Sequence, residues 1–301
     1  MEICTLCPRE CGVKRPLHKN DPGIFGFCRS PWLPQAARAA LHLWEEPCLS
    51  GKNGSGAVFF SGCTLRCVFC QNSIISSENK GWEVTPEALR RIYQDLISQG
   101  AHNIDLITAT QFIPMILESL KDPLPVPVVF NTGGYEKKET LRLLEGKVQI
   151  YLPDLKYVDD SLALRYSNAP RYFETAADAI CEMYRQTGPY RLDKDGMMQK
   201  GVIIRHLILP GHTDDSKRVI DWVAKTFRPG EVMFSLMRQY IPCGRADEFP
   251  EIDRTLTDEE YNEVESYLFA SGIEDGFVQE EPSADEKYIP AFDGTGIIKE
   301  L

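Results

Sequence analysis

Three cysteines packed into eight residues, directly after a short apolar run, constrain this chain more than any other feature. The stretch Ala57 to Asn72 reads AVFFSGCTLRCVFCQN and carries Cys63, Cys67 and Cys70. Its apolar start has the length of a buried strand. Thiolates are soft ligands, and three of them closing one short loop match the way iron–sulfur clusters are held. A structural zinc or a fully ligated four-iron cluster takes four protein ligands, so three leave one metal position open to an exogenous group. The competing reading is a reduced structural cysteine cluster, or a zinc loop that lacks a partner.

A second cysteine group comes earlier. Cys4, Cys7, Cys11 and Cys28 lie among Pro8, Gly12, Gly23 and Gly26, with neither helical nor strand periodicity around them. Such a loop-rich segment needs a metal to hold it together, and four thiolates suit either zinc or an iron–sulfur cluster. Seven of the ten cysteines thus fall into two tight groups, the pattern of metal ligation in a reducing compartment. Cys48 and Cys243 read as isolated, non-ligating residues. Cys181, in register with Ala177, Ile180 and Tyr184, reads as core.

The net charge of −11 argues against a nucleic-acid partner, because phosphate binding needs a basic surface. No apolar run approaches the ~20 residues of a membrane-spanning helix, and MEICTLCPRE has no secretory character. A cytoplasmic protein is expected. With 43% hydrophobic residues in 301, the chain can bury one large core.

From Ala57 onward, apolar runs of strand length alternate with amphipathic helical patterns, the signature of strand–helix units around a parallel sheet. The expected strands are 57–61, 103–109, 127–131, 148–153, 202–208 and 232–236. Thr85-Pro86 opens a helix with Leu89, Ile92, Tyr93, Leu96 and Ile97 on one face and Gly100 as its stop. Thr213 precedes another, with Val219, Ile220, Val223 and Phe227 facing inward. Six such units give an α/β fold, a partial (β/α)6 TIM-like barrel. The chain divides into a cysteine-rich metal-binding segment (1–35), a connector (36–56), the barrel (57–240) and a C-terminal helix and tail (241–301). The connector run Ala36 to Trp44 is compatible with helix or strand.

The Cys-x3-Cys-x2-Cys spacing, with the aromatic Phe69 before the last cysteine, resembles the signature of the radical S-adenosylmethionine (radical SAM) enzymes. The later landmarks are similar to the branch containing the pyruvate formate-lyase activating enzymes. The resemblance implies a 4Fe-4S cluster on Cys63, Cys67 and Cys70 whose open iron binds S-adenosylmethionine. Reductive cleavage then gives a 5'-deoxyadenosyl radical that abstracts hydrogen from a substrate. In parallel strand–helix folds the functional residues sit at the carboxyl ends of strands. There the family's Gly-Gly-Glu is replaced by Thr108-Ala109-Thr110-Gln111, whose threonine hydroxyls and carbonyls offer acceptors for an ammonium. Asn131-Thr132-Gly133-Gly134 and Asp154-Leu155-Lys156 resemble the turn and the Asp-Leu-Lys motif that flank SAM and a cation. Asn131 stands where the family has aspartate, which weakens a cation site built of oxygens. Arg205 matches the arginine that reaches SAM, and burying an arginine in an apolar strand marks it independently. The resemblance also implies a protein or peptide substrate, as for a glycyl-radical activase, and a flavodoxin- or ferredoxin-type electron donor. Radical SAM modification of a peptide or small molecule is the alternative, and an iron–sulfur electron-transfer protein the distant one.

His206 and His212 read as hydrogen-bonding residues and not ligands. Thr257 to Glu260 form a capping box for a helix with Tyr261, Val264 and Leu268 inward. The aromatic and turn residues of Tyr288 to Gly296 are expected to fold back onto the barrel.

Overall fold

The computed structural model describes residues 3–279 and 290–297. Its strands are β1 (Gln35–His42), β2 (Ser55–Phe60), β3 (Trp82–Glu83), β4 (Ile104–Ile107), β5 (Val128–Thr132), β6 (Ile150–Pro153), β7 (Arg191–Leu192), β8 (Met198–Leu207), β9 (Met233–Met237) and β10 (Gly276–Val278). They form one sheet ordered β10-β9-β8-β6-β5-β4-β2-β1-β3, with β7 paired to β8 off this path. The run from β2 to β10 is parallel at every step, while β1 lies antiparallel to β2 and β3 antiparallel to β1. All six expected strands are present. Among the described residues the sheet ends in two edges, β3 and β10, that do not pair with each other, so the barrel is partial, as expected.

Both faces of β2, β5, β6 and β9 are buried, which explains why these strands read as continuous apolar runs without alternation. The helices are α1 (Pro47–Ser50), α2 (Ser73–Ser76), α3 (Pro86–Ser98), α4 (Ile113–Ser119), α5 (Lys138–Arg142), α6 (Asp160–Ser167), α7 (Tyr172–Thr187), α8 (Thr213–Thr226) and α9 (Asp258–Ala270). Thr85 caps α3 by accepting from the Ala88 amide, Pro86 occupies the first turn, and Leu89, Ile92, Tyr93 and Leu96 are buried. Each of these side chains contributes roughly 1.5–3 kcal/mol relative to exposure. In α8 the N-cap is His212, one residue before the expected Thr213. The capping box of α9 is complete: Thr257 accepts from the Glu260 amide, and Glu260 accepts from the Thr257 amide.

Two expectations need resolving or correcting. The alanine-rich run 36–44 is a strand as far as His42, because pairing with β2 from Ala36↔Phe60 to His42↔Ser55 overrides alanine's helical preference. Cys181 is exposed on α7, not core, because the buried stripe of that helix passes through Ala176, Ala179, Ile180 and Met183. The tail does fold back. Phe292 meets Phe59 edge-on at 5.5 Å, and backbone bonds run from Ala39 N to Thr295 O and from Gly294 N to Ala37 O. Tyr288 and Ile289 lie outside the described residues. Among the described residues, no helix is long and apolar enough to cross a membrane.

Candidate active site

Just beyond β2 the chain turns through Gly62 at φ +83°, where an added Cβ would lie 2.9 Å from the Cys28 carbonyl oxygen. Only glycine allows the N-terminal segment to pack this close. The loop that follows presents Cys63, Cys67 and Cys70, and each sulfur accepts at least one hydrogen bond. The donors are the Leu65 amide (3.4 Å), the Ser167 hydroxyl (2.9 Å) and the Ser76 hydroxyl (3.4 Å). The loop is pinned from outside, since Val68 donates to the Tyr166 carbonyl and accepts from the Arg245 amide. Phe69 is buried between Tyr166 and Tyr240. Burial pushes all three thiols above their ordinary range, and Lys156 acts in the opposite direction on each. A metal is what would hold such buried thiols as thiolates.

Facing the loop, the ends of β5, β6 and β8 bring Asn131, Asp154 and Arg205 together, with Lys156 just past β6. Asp154 and Arg205 are also bridged through their backbones. The Arg205 guanidinium donates to Asp154 (2.9 Å), to Asn131 (2.7 Å) and to Glu45 (3.2 Å), and Lys156 donates to Asp154 (2.7 Å). Burial would raise the Asp154 carboxyl, but Arg205 and Lys156 outweigh it and hold the group below its usual range. Burial likewise works against the charge on Lys156 and Arg205, and the acids around them win, raising both.

This network and the cysteine loop line one cavity of about 230 Å³. A neighbouring cavity of about 160 Å³ shares Cys67, Cys70, Asn131, Asp154, Lys156 and Arg205, and adds Cys63, Thr108 and Thr132. Trp44, Phe59, Ile107 and Leu207 supply apolar wall. The donor set suits an iron–sulfur cluster with one open position, and the adjoining polar space suits its exogenous ligand. Thr110 and Thr132 are occupied differently: both hydroxyls donate to Glu136, buried, with its carboxyl raised to about 7 mainly by burial. Cys4, Cys7, Cys11 and Cys28 line a separate void behind the loop.

Three acids escaped the sequence reading. Glu45 accepts from Arg205. Asp105, fully buried in β4, accepts from the Asn131 amide at 3.3 Å, and burial together with Glu45 raises its carboxyl. Glu46, beside them, is raised to about 7, mainly by burial. The signal for Asp105 was available: an acid inside the apolar run NIDLI is as costly to bury as Arg205.

A parallel-sheet partial barrel with a thiolate loop and a buried ion network at its strand ends is the architecture of a cofactor-dependent enzyme. Residues 57–223, more than half of the chain, match the radical SAM superfamily model, and the chain belongs to that superfamily. Uncharacterized protein MJ0674 of Methanocaldococcus jannaschii is 30% identical over 275 residues, covering 88% of this chain and 73% of that protein. Two solved structures share the fold. A mutant of spore photoproduct lyase matches with TM-score 0.51 and 11% identity over 77% of this chain and 78% of its own. Streptococcus suis SuiB bound to the precursor peptide SuiA matches with TM-score 0.50 and 12% identity over 72% of this chain; only 46% of the SuiB chain is spanned.

Proposed function

We propose that this chain is a radical SAM oxidoreductase in which Cys63, Cys67 and Cys70 hold a 4Fe-4S cluster and the adjoining cavity takes S-adenosylmethionine. The observation that carries this reading is that the three cysteines and the Arg205, Asp154, Lys156 and Asn131 network line the same cavity. When bound, the cluster supplies one-electron reductive cleavage of SAM to a 5'-deoxyadenosyl radical, which abstracts hydrogen from the substrate. The chain's own residues orient the partners. Arg205 and Lys156 offer charged donors to a carboxylate, while Asp154, Glu45 and the Asn131 oxygen offer acceptors to an ammonium or to ribose hydroxyls. Ser167, Ser76 and the Leu65 amide fix the sulfurs and stabilise their negative charge.

The substrate in this reading is a protein or peptide, as for a glycyl-radical activase of the pyruvate formate-lyase type. Its support is the open sheet, whose edges β3 and β10 do not pair with each other among the described residues. The reductant is a flavodoxin- or ferredoxin-type donor. A cytoplasmic setting accords with ten cysteines that form no disulfide. The test is anaerobic reconstitution with iron and sulfide, then SAM and dithionite, with 5'-deoxyadenosine quantified by chromatography. The nucleoside is expected from the native chain and not from Cys67→Ala; equal yields from both would sink the assignment of the cluster ligands.

A further inference from the structure

Residues 3–34 contain no helix or strand, yet they hold a defined course. Cys4 and Val13 are joined through their backbones, as are Gly12 and Cys4, and Glu10 donates to the Cys7 carbonyl. Cys4, Cys7, Cys11 and Cys28, from turns far apart in the segment, all line one void, and the Phe27 amide donates to the Cys11 sulfur at 3.2 Å. Among the described residues the sulfurs are not drawn in to the spacing of a single ion, and the same is true of Cys63, Cys67 and Cys70.

Arg15 supplies the independent observation. It lines the same void and is 1% exposed. One guanidinium nitrogen donates to the Pro31 carbonyl (3.3 Å) and the group lies 4.7 Å over the Trp32 ring, which carries no net charge, while Nε and Nη2 have no hydrogen-bond partner. Among the described residues no carboxylate pairs with it. A second polar group borders the void: Gln111 Oε1 is buried without a partner, although its amide nitrogen is held by the Ser61, Gly62 and Thr108 carbonyls. A buried guanidinium needs an anion close by. Neutral thiols do not provide one. Four thiolates around a divalent metal, or around an oxidised 4Fe-4S core, leave roughly two net negative charges and do.

We propose that Cys4, Cys7, Cys11 and Cys28 bind a thiophilic metal centre for which Arg15 is the buried counter-charge. The centre lies directly behind the catalytic loop, because the Cys28 carbonyl abuts Gly62, the residue before Cys63. It gives an element-free segment the rigidity to back that loop.

The experiment uses full-length protein in which Cys63, Cys67 and Cys70 are all alanine, so that metal on the catalytic loop cannot contribute. Zinc, iron and sulfide are measured by elemental and colorimetric analysis before and after anaerobic reconstitution, with circular dichroism as the check on folding. About one zinc, or about four irons with matching sulfide, per chain supports the centre and tells the two metals apart. Loss of that metal on adding Cys7→Ser assigns the ligands. Should this variant not fold, mercurial titration of the triple variant replaces it, and metal should be released in step with four thiols. Arg15→Gln should retain the fold but surrender its metal to a chelator faster. A folded triple variant with substoichiometric metal and four freely reacting N-terminal thiols overturns the proposal. Because the catalytic cysteines are absent, neither result depends on the radical SAM reading.

Discussion

Asn131 shows how one side chain decides the charge state of the site. Its oxygen accepts from Arg205 while its nitrogen donates toward Asp105 and Glu45, so a single amide bridges the cation and two acids. Only Asp105 depends on it for that link, because Arg205 also reaches Glu45 directly. An aspartate there could accept but not donate, and would stand against two carboxylates. Asn131→Asp is therefore expected to lower stability by about 1–3 kcal/mol in urea denaturation, with the loss reduced when potassium or sodium is raised at constant ionic strength. An unchanged midpoint would mean that the amide bridge between these groups carries no net stability. Removing Arg205 is harsher: Arg205→Met strands Glu45 in a buried setting, leaves Asp154 with Lys156 alone, and should cost about 3–5 kcal/mol in the same assay.

His206 carries a pH prediction at the same scale. Its Nδ1 lies 2.7 Å from the Leu155 carbonyl, which can only accept, so Nδ1 bears the proton and Nε2 accepts from Ser216 at 2.9 Å. Burial lowers this imidazole to about 4, so the folded ring stays neutral where the unfolded ring is already charged. Between pH 6.5 and 4 the unfolded chain binds the extra proton, and stability falls as pH falls. The contribution is present in full above pH 6.5, and about 3 kcal/mol of it is lost by pH 4. Denaturation of His206→Asn and the native chain at several pH values checks this, since the variant should show the shallower decline. Legibility at this scale was uneven. Arg205 could be read because charge in an apolar strand is conspicuous, and Asp154 and Lys156 through the resemblance to the Asp-Leu-Lys motif, whereas Glu45 looked like ordinary connector and only the fold carries it to Arg205.

The elements follow from local chemistry wherever that chemistry is strong. The proline and threonine that open α3 and the reciprocal bonds that open α9 are written in a few adjacent residues, and the structure contains both. Thr85→Ala should cost about 1 kcal/mol, measured by thermal or urea unfolding, because the Ala88 amide loses its acceptor. No change would indicate that water replaces the cap without cost. The alanine-rich β1 lies at the other limit. Its local preference points to helix and its partner strand lies beyond the intervening α1, so only pairing with β2 settles it. Cys181 fails for a similar reason, as a helical face read one position off places an exposed thiol in the core.

At the scale of the whole molecule, residues 290–297 are joined to β1, far from them in sequence. The tail residues Gly294 and Thr295 exchange backbone bonds with β1, Arg38 donates to the Ala291 carbonyl at 3.1 Å, and Phe292 buries itself among Ala37, Ala57, Phe59 and Ile75. Small alanines on β1 and β2 are what make room for that ring. Pro290, at the start of this described stretch, borders the same cavity as Arg205 and the cysteine loop, so the tail forms part of the site's wall. Phe292→Ala removes one of the stretch's two buried anchors, the other being Ile297, at a cost of about 3 kcal/mol. The tail can release without unfolding the sheet, so this cost should appear as local opening, leaving the global transition nearly unmoved. Native-state hydrogen exchange at Ala39 and Gly294 is expected to quicken on the order of 100-fold while β5 and β6 amides keep their protection. If all of these amides quickened together, the tail would be part of the cooperative core, and its contact with the cavity could not vary independently of the fold.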